Sequence, residues 1–118
     1  MKNKLIQVQS LQFDKFIIED WFCIDDTCWR RYIVDTTSTA SHYHIVSYLE
    51  LTFNSNDGLW GFDIYHNIIN NLYYKMYPTS KSQSFLFLPY CQVFNCLEEG
   101  KKFVDTFLNK LVKMKAFL

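Results

Sequence analysis

Glycine and proline are scarce in this chain, with three of one and two of the other in 118 residues. The three glycines (Gly58, Gly61 and Gly100) form no phosphate-cradling loop and no Gly-x-Gly-x-x-Gly turn. Close backbone approach to a nucleotide is therefore not expected. There is no Gly-x-Ser-x-Gly elbow and no His-Glu-x-x-His pair, the arrangements that position a nucleophile or a zinc ion. No apolar run approaches the roughly 18 residues that a membrane-spanning helix needs. Met1–Phe13 carries Lys2 and Lys4, then Gln7, Gln9, Ser10 and Gln12, without the apolar core of a secretory leader. The expectation is a cytoplasmic protein with reduced thiols and no membrane role. Charge of one sign is also missing. Twelve basic and twelve acidic residues cancel, which argues against a protein whose main task is gripping nucleic-acid phosphates.

Aromatic rings are what the chain has in abundance: eleven Phe, eight Tyr and three Trp. They carry large apolar area on few rotatable bonds, so they dominate cores and contact surfaces alike. A chain this short leaves much of its surface wet. Some rings should therefore lie outside, as ready-made contact area.

One domain spanning 1–118 is the natural reading of this length. The last stretch, Asn95–Leu118, predicts a helix over about 96–116. Asn95 suits a cap and Glu98 stands at capping-box spacing. Glu98 and Glu99 at the start and Lys110, Lys113 and Lys115 near the end both suit the helix dipole. Leu97, Val104, Phe107, Leu108, Leu111 and Met114 make one apolar face, and Gly100 weakens the first turns. A second helix is predicted over about 63–77, capped by Asp63 and ended by Pro78. Its expected stripe is Ile64, Ile68, Leu72 and Met76, widened by Tyr65, Ile69 and Tyr73.

The first half reads as strands. Phe16–Ile24 and Cys28–Thr36 are joined by the turn Asp25-Asp26-Thr27. In Tyr43–Phe53, alternation puts Tyr43, Ile45, Leu49, Leu51 and Phe53 on one face. Asn54–Gly58 is the strongest turn signal, leading into a strand from Leu59 to Phe62. Ser84–Leu88 is a further candidate, and Leu5–Val8 a candidate edge strand. Strands, helix, strand, helix is the order of an α+β fold: an antiparallel sheet of about four to six strands with both helices on one face. The opposite face, if open and lined by Trp and Tyr, would suit a partner.

Several clusters carry chemistry. Cys23/Cys28 and Cys91/Cys96 share the Cys-x4-Cys spacing, at the loose end of zinc geometry. Free thiols, buried or half-buried, are the favoured reading over a hairpin disulfide or a joint zinc site. His42 and His44 share a strand face with Val46, Tyr48 and Glu50, a set that permits a metal but also occurs by chance. Trp29-Arg30-Arg31-Tyr32 mixes cations and rings as single-stranded nucleic-acid sites do. On a strand, however, Trp29 and Arg31 point one way and Arg30 and Tyr32 the other. Glu19, Asp20, Asp25 and Asp26 make one hairpin end acidic, fit to meet a basic partner. Leu59-Trp60-Gly61-Phe62 is a compact aromatic cluster, with Trp60 expected at the surface.

The reading that follows is a non-enzymatic protein-interaction module without cofactor or resident metal. Within that class a small inhibitor or neutralising protein is favoured, of the toxin-immunity or anti-defence type. Its partner would be another protein, basic in character and toxin- or nuclease-like. The expected contact residues are Trp60, Trp29, Tyr48, Asp25, Asp26, Arg30 and Arg31. The alternatives are a nucleic-acid-binding accessory and a small metal- or ligand-binding domain.

Overall fold

The computed structural model describes residues 10–36, 47–78, 83–85 and 88–114. The first strands are β1 (Leu11–Phe13), β2 (Phe16–Ile18), β3 (Phe22–Asp25), β4 (Cys28–Asp35), β5 (Ser47–Asn54) and β6 (Leu59–Tyr65). Helix α1 (Asn67–Met76) follows, then β7 (Gln83–Phe85), β8 (Leu88–Tyr90), β9 (Gln92–Phe94) and helix α2 (Leu97–Met114). Seven strands form one sheet in the order β1-β2-β4-β5-β6-β9, with β3 also on β4. All its pairings are antiparallel. β7 and β8 pair with each other in a separate hairpin. The fold is α+β, as the order of elements implies.

The turns form where short polar residues can bond their own backbone. Asp25 accepts from the Thr27 N–H at 2.7 Å and from its hydroxyl at 2.8 Å. Asn54 accepts from the Asn56 N–H at 2.9 Å through its side chain, and from Gly58 at 2.8 Å through its carbonyl. Between β1 and β2, Asp14 takes a left-handed φ of 56°, which Asp tolerates better than most residues.

The expected single strand Phe16–Ile24 is two. Both halves lie on one edge of β4, β2 against Ile33–Asp35 and β3 against Cys28–Arg30. The break frees the Glu19 carbonyl to accept from Arg31 Nε at 2.7 Å. It also lets the Trp21 indole donate to Asp105 of α2 at 2.9 Å. Helix α1 likewise starts later than its periodicity suggested. β6 runs on through Asp63, Ile64 and Tyr65, so Asp63 is a strand residue and not a cap. His66 is the cap, its Nδ1 accepting from the Ile69 N–H at 3.2 Å. The buried residues of α1 are Ile69 and Tyr73, while Ile68 is exposed. At α2 the Cys96 carbonyl accepts from the Gly100 N–H, which puts Cys96, not Asn95, at the cap position. Ser84–Leu88, read as one strand, contains parts of β7 and β8. The candidate strand Leu5–Val8 and the His42–His44 pair lie outside the described residues.

The core is a cluster of rings. Phe62 meets Tyr73 of α1 at 5.8 Å and Phe107 of α2 at 6.4 Å between centroids. Both helices therefore pack on the sheet face that carries Phe62. Gly100 permits the approach of α2: a Cβ there would stand 3.0 Å from Leu51 Cδ2. The residue that costs the isolated helix propensity thus brings it close to the sheet.

Phe107 and Leu111 are fully buried on α2. Replacing either by Ala should destabilise the fold by about 2–5 kcal/mol, through lost apolar burial and the cavity left behind. Denaturant midpoints unchanged by both substitutions would show that α2 does not dock on the sheet.

Candidate functional site

The register of β4, β5 and β6 sorts every side chain on them. Trp29, Leu51 and Phe62 are direct neighbours facing the helices, as are Arg31, Leu49 and Ile64. The residues between them face outward, because successive side chains of a strand alternate. Three outward rows result. Tyr32, Tyr48 and Tyr65 form one, Arg30, Glu50 and Asp63 the next, and Cys28, Thr52 and Gly61 the third. Phe22 of β3 adds to the middle row beside Arg30.

The rows are bonded to each other. The Tyr48 ring lies 6.0 Å from Tyr32 and 4.7 Å from Tyr65, centroid to centroid. Phe22 extends the line, 6.3 Å from Tyr32. The Arg30 guanidinium carbon sits 4.1 Å from the Tyr48 ring centre. Arg30 Nε donates to Glu50 Oε2 at 2.7 Å, and the Cys28 thiol donates to the same oxygen at 3.2 Å. Tyr65 Oη donates to Asp63 Oδ2 at 3.4 Å. At the third row Tyr90 lies flat against Gly61, where the Cβ of any other residue would collide with its ring. Phe22 is 57% and Tyr65 47% exposed, so the line of rings is open at both ends.

Asp63 is the strained member. Burial and then the nearby Glu50 charge push its carboxyl from about 3.8 up to about 6, against the Tyr65 hydrogen bond. Burial, followed by the charges of Asp63 and Glu50, pushes the Tyr65 phenol up to about 12.

The expected contact residues divide between surfaces. Tyr48 and Arg30 belong to the outer face. Asp25 and Asp26 lie exposed at the β3–β4 tip, with the Asp25 carboxyl held below its usual range by Thr27. Arg31 does not reach solvent. It is 2% exposed, with Nη1 donating to Asp105 at 2.9 Å and the Trp21 ring beside it. Trp29 is on the helix side, with Lys101 Nζ 3.4 Å from its ring centre. Trp60 is partly buried against the core and packs on Phe53 at 5.4 Å. The turn before it does not expose it, because its strand partners Phe53 and Phe94 share its face. Tyr32, Tyr65, Glu50, Asp63 and Phe22, which join Tyr48 and Arg30 on the outer face, are not among the contact residues expected from the sequence. Their signal is the alternation within each strand, which becomes a surface only when three strands are aligned.

Cys23 and Cys28 do not face each other. Cys23 pairs with Trp29 on the helix side, and Cys28 with Asp25 on the outer side. All four cysteines are free thiols. Among the described residues no group of three His, Cys, Asp or Glu could hold a metal ion. No helix among them is long and apolar enough to cross a membrane.

Two measurements probe these environments. Between its unfolded and folded pKa values Asp63 holds a proton in the folded protein that the unfolded chain has lost. Its contribution therefore lowers stability as pH rises from about 4 to about 6. Asp63→Asn should remove that component, so the difference in unfolding midpoint between variant and wild type should grow across this window. A constant difference would contradict it. For the thiols, Cys23 and Cys96 are exposed, while burial pushes Cys28 and Cys91 up to about 11. A thiol reagent should label two groups of the native protein quickly and two slowly, and all four once it is unfolded. Four equal rates would overturn this placement.

No protein-family model, curated protein or solved structure matches this chain.

Proposed function

We propose that this protein is a non-enzymatic protein-interaction module that binds through the outer face of its sheet. Within that class we favour a small inhibitor or neutralising protein, of the toxin-immunity or anti-defence type, that covers a partner's functional site. The single observation behind the reading is the line Phe22, Tyr32, Tyr48 and Tyr65, with Arg30 laid on Tyr48, on the face turned away from both helices. Tyrosine and arginine are the side chains that most often anchor protein interfaces. Here each ring rests on its neighbour, so little rotamer freedom remains to be lost on binding. The acidic tip at Asp25 and Asp26 adds long-range attraction for a basic partner.

The nucleic-acid alternative draws less support. Arg30 is already tied to Glu50, and Asp63 adds a second carboxylate to the same row, a surface that repels phosphate. Arg31, the other cation of the Trp29–Tyr32 stretch, is buried.

The test starts from a partner retained by the folded protein from its native host and verified in purified form. Tyr48→Ala and Tyr65→Ala should each weaken that complex by at least about 2 kcal/mol while leaving the melting temperature nearly unchanged. Trp60→Ala should do the reverse, lowering the melting temperature first. An affinity indifferent to both tyrosines would remove the outer face as the contact surface. A nucleic-acid partner, with affinity falling steeply as salt rises, would replace this reading with the alternative.

A further inference from the structure

We infer that the outer face receives a lysine or arginine side chain of the partner protein, its cationic head against Asp63 and its stem across the Tyr65 ring. This rests on the outer face being the contact surface and adds the chemistry of what it contacts. The argument is an imbalance of charge. Glu50 and Asp63 stand directly opposite each other on β5 and β6, where like charges destabilise a sheet. The one cation in their row is committed to Glu50. Arg30 Nε is 2.7 Å from Glu50 Oε2, and its Nη1 reaches toward Tyr32 Oη at 3.5 Å. Among the described residues no Lys, Arg or His lies within ion-pair distance of Asp63. Its hydrogen bond is the long one from Tyr65, at 3.4 Å.

The face already contains one complete example of the recognition we infer. On β4 and β5 a guanidinium lies on a tyrosine ring with a carboxylate at its edge: Arg30 on Tyr48, bonded to Glu50. One strand further, the same ring and carboxylate recur. Tyr65 neighbours Tyr48 and Asp63 neighbours Glu50 in the same register, but the described residues supply no cation. A partner's cation placed there would meet a carboxylate and the negative face of an aromatic ring together. It would also relieve the repulsion between Glu50 and Asp63. Tyr65 is 47% exposed, so the position is reachable from outside. Asp25, which pairs with Cys28 at the end of the same face, adds to the attraction.

The probes are Nα-acetyl-arginine amide, Nα-acetyl-lysine amide and, as an uncharged isostere, Nα-acetyl-citrulline amide. Binding is followed by NMR at the Asp63 carboxyl carbon and the Tyr48 and Tyr65 rings, at a pH well above about 6 so that Asp63 is ionised. The cationic probes should bind saturably. Citrulline, or any of the probes with Asp63→Asn, should bind about threefold to tenfold more weakly. Equal binding by citrulline, or undiminished binding by folded Asp63→Asn, would overturn the inference. If that variant does not fold, lowering the pH well below about 6 protonates Asp63 in the wild type and must weaken the cationic probes by the same factor. The other groups that sense the Asp63 charge, Tyr65, Tyr74, Tyr90 and Cys91, have raised pKa values, and Arg30 keeps its charge throughout, so none of these titrates in that window. Glu50, which Arg30 holds, is covered by Glu50→Gln: the loss at low pH must persist in that variant. With a verified partner, an affinity that falls on Tyr48→Ala but not on Asp63→Asn would remove the cation and keep the contact face. An affinity that ignores both would remove the face itself.

Discussion

The alignment of β4, β5 and β6 holds Leu49 and Leu51 between Arg31, Ile64, Trp29 and Phe62 on one side of the sheet, and the rest of the molecule depends on it. A slip of one residue in any of these strands would exchange its faces. Leu49 and Leu51 would turn to water, and Tyr48 and Glu50 would be pressed against the helices. The hydrophobic set opposes that slip strongly, since Leu49, Leu51 and Phe62 are all fully buried. The polar outer rows are therefore positioned by the burial of residues that never touch them. The site is stabilised indirectly, by the core on the other side of the same backbone.

The helix side is not wholly apolar, and the one buried cation among the described residues has a structural task. Arg31 joins the break between β2 and β3 to α2: it meets the Glu19 carbonyl and the Trp21 ring in the break and the Asp105 carboxylate on the helix. A buried charge is tolerated only when paired and hydrogen-bonded. This requirement ties the break in the strand to the position of α2, because moving either would strand the guanidinium. Trp21 also donates to Asp105, so one carboxylate fixes both. The arginine next along the strand has the opposite setting. Arg30 lies on the outer face with Tyr48 and Glu50, part-buried. Adjacent and chemically identical, the two serve different ends because strand alternation sends them to different sides.

The outer face departs from the local consistency of the core. Natural sequences tend to break local rules at functional sites and compensate elsewhere. Two carboxylates opposite each other, a raised carboxyl and a line of rings exposed at both ends are such departures, and they coincide on one surface. The ring packing around Phe62, Tyr73 and Phe107 supplies the rigidity against which they stand.

The sequence by itself determined the α+β class, the presence of the two helices, and the turns at Asp25–Thr27 and Asn54–Gly58. Those features are local: a periodicity of 3.6 residues, or a polar side chain bonding its own backbone, is complete within a few positions. It also separated Arg30 from Arg31, since alternation needs only one strand. The helix starts and the three-residue strands were less legible. Ile64 and Tyr65 fit a helical stripe as well as a strand, and pairing with Leu49 and Tyr48 decided for the strand. β1 and β9 are too short for any period to register. Only the tertiary structure decided which aromatic residues share a surface. Trp60 and Trp29, expected as surface anchors, stand on the helix side of the sheet, part-buried, with Phe53 and Lys101 beside them. Tyr32, Tyr48 and Tyr65 lie far apart along the chain, and become one surface only through hydrogen bonds between strands. Side-chain type is written in the sequence, but adjacency across a sheet depends on register, which the whole core selects.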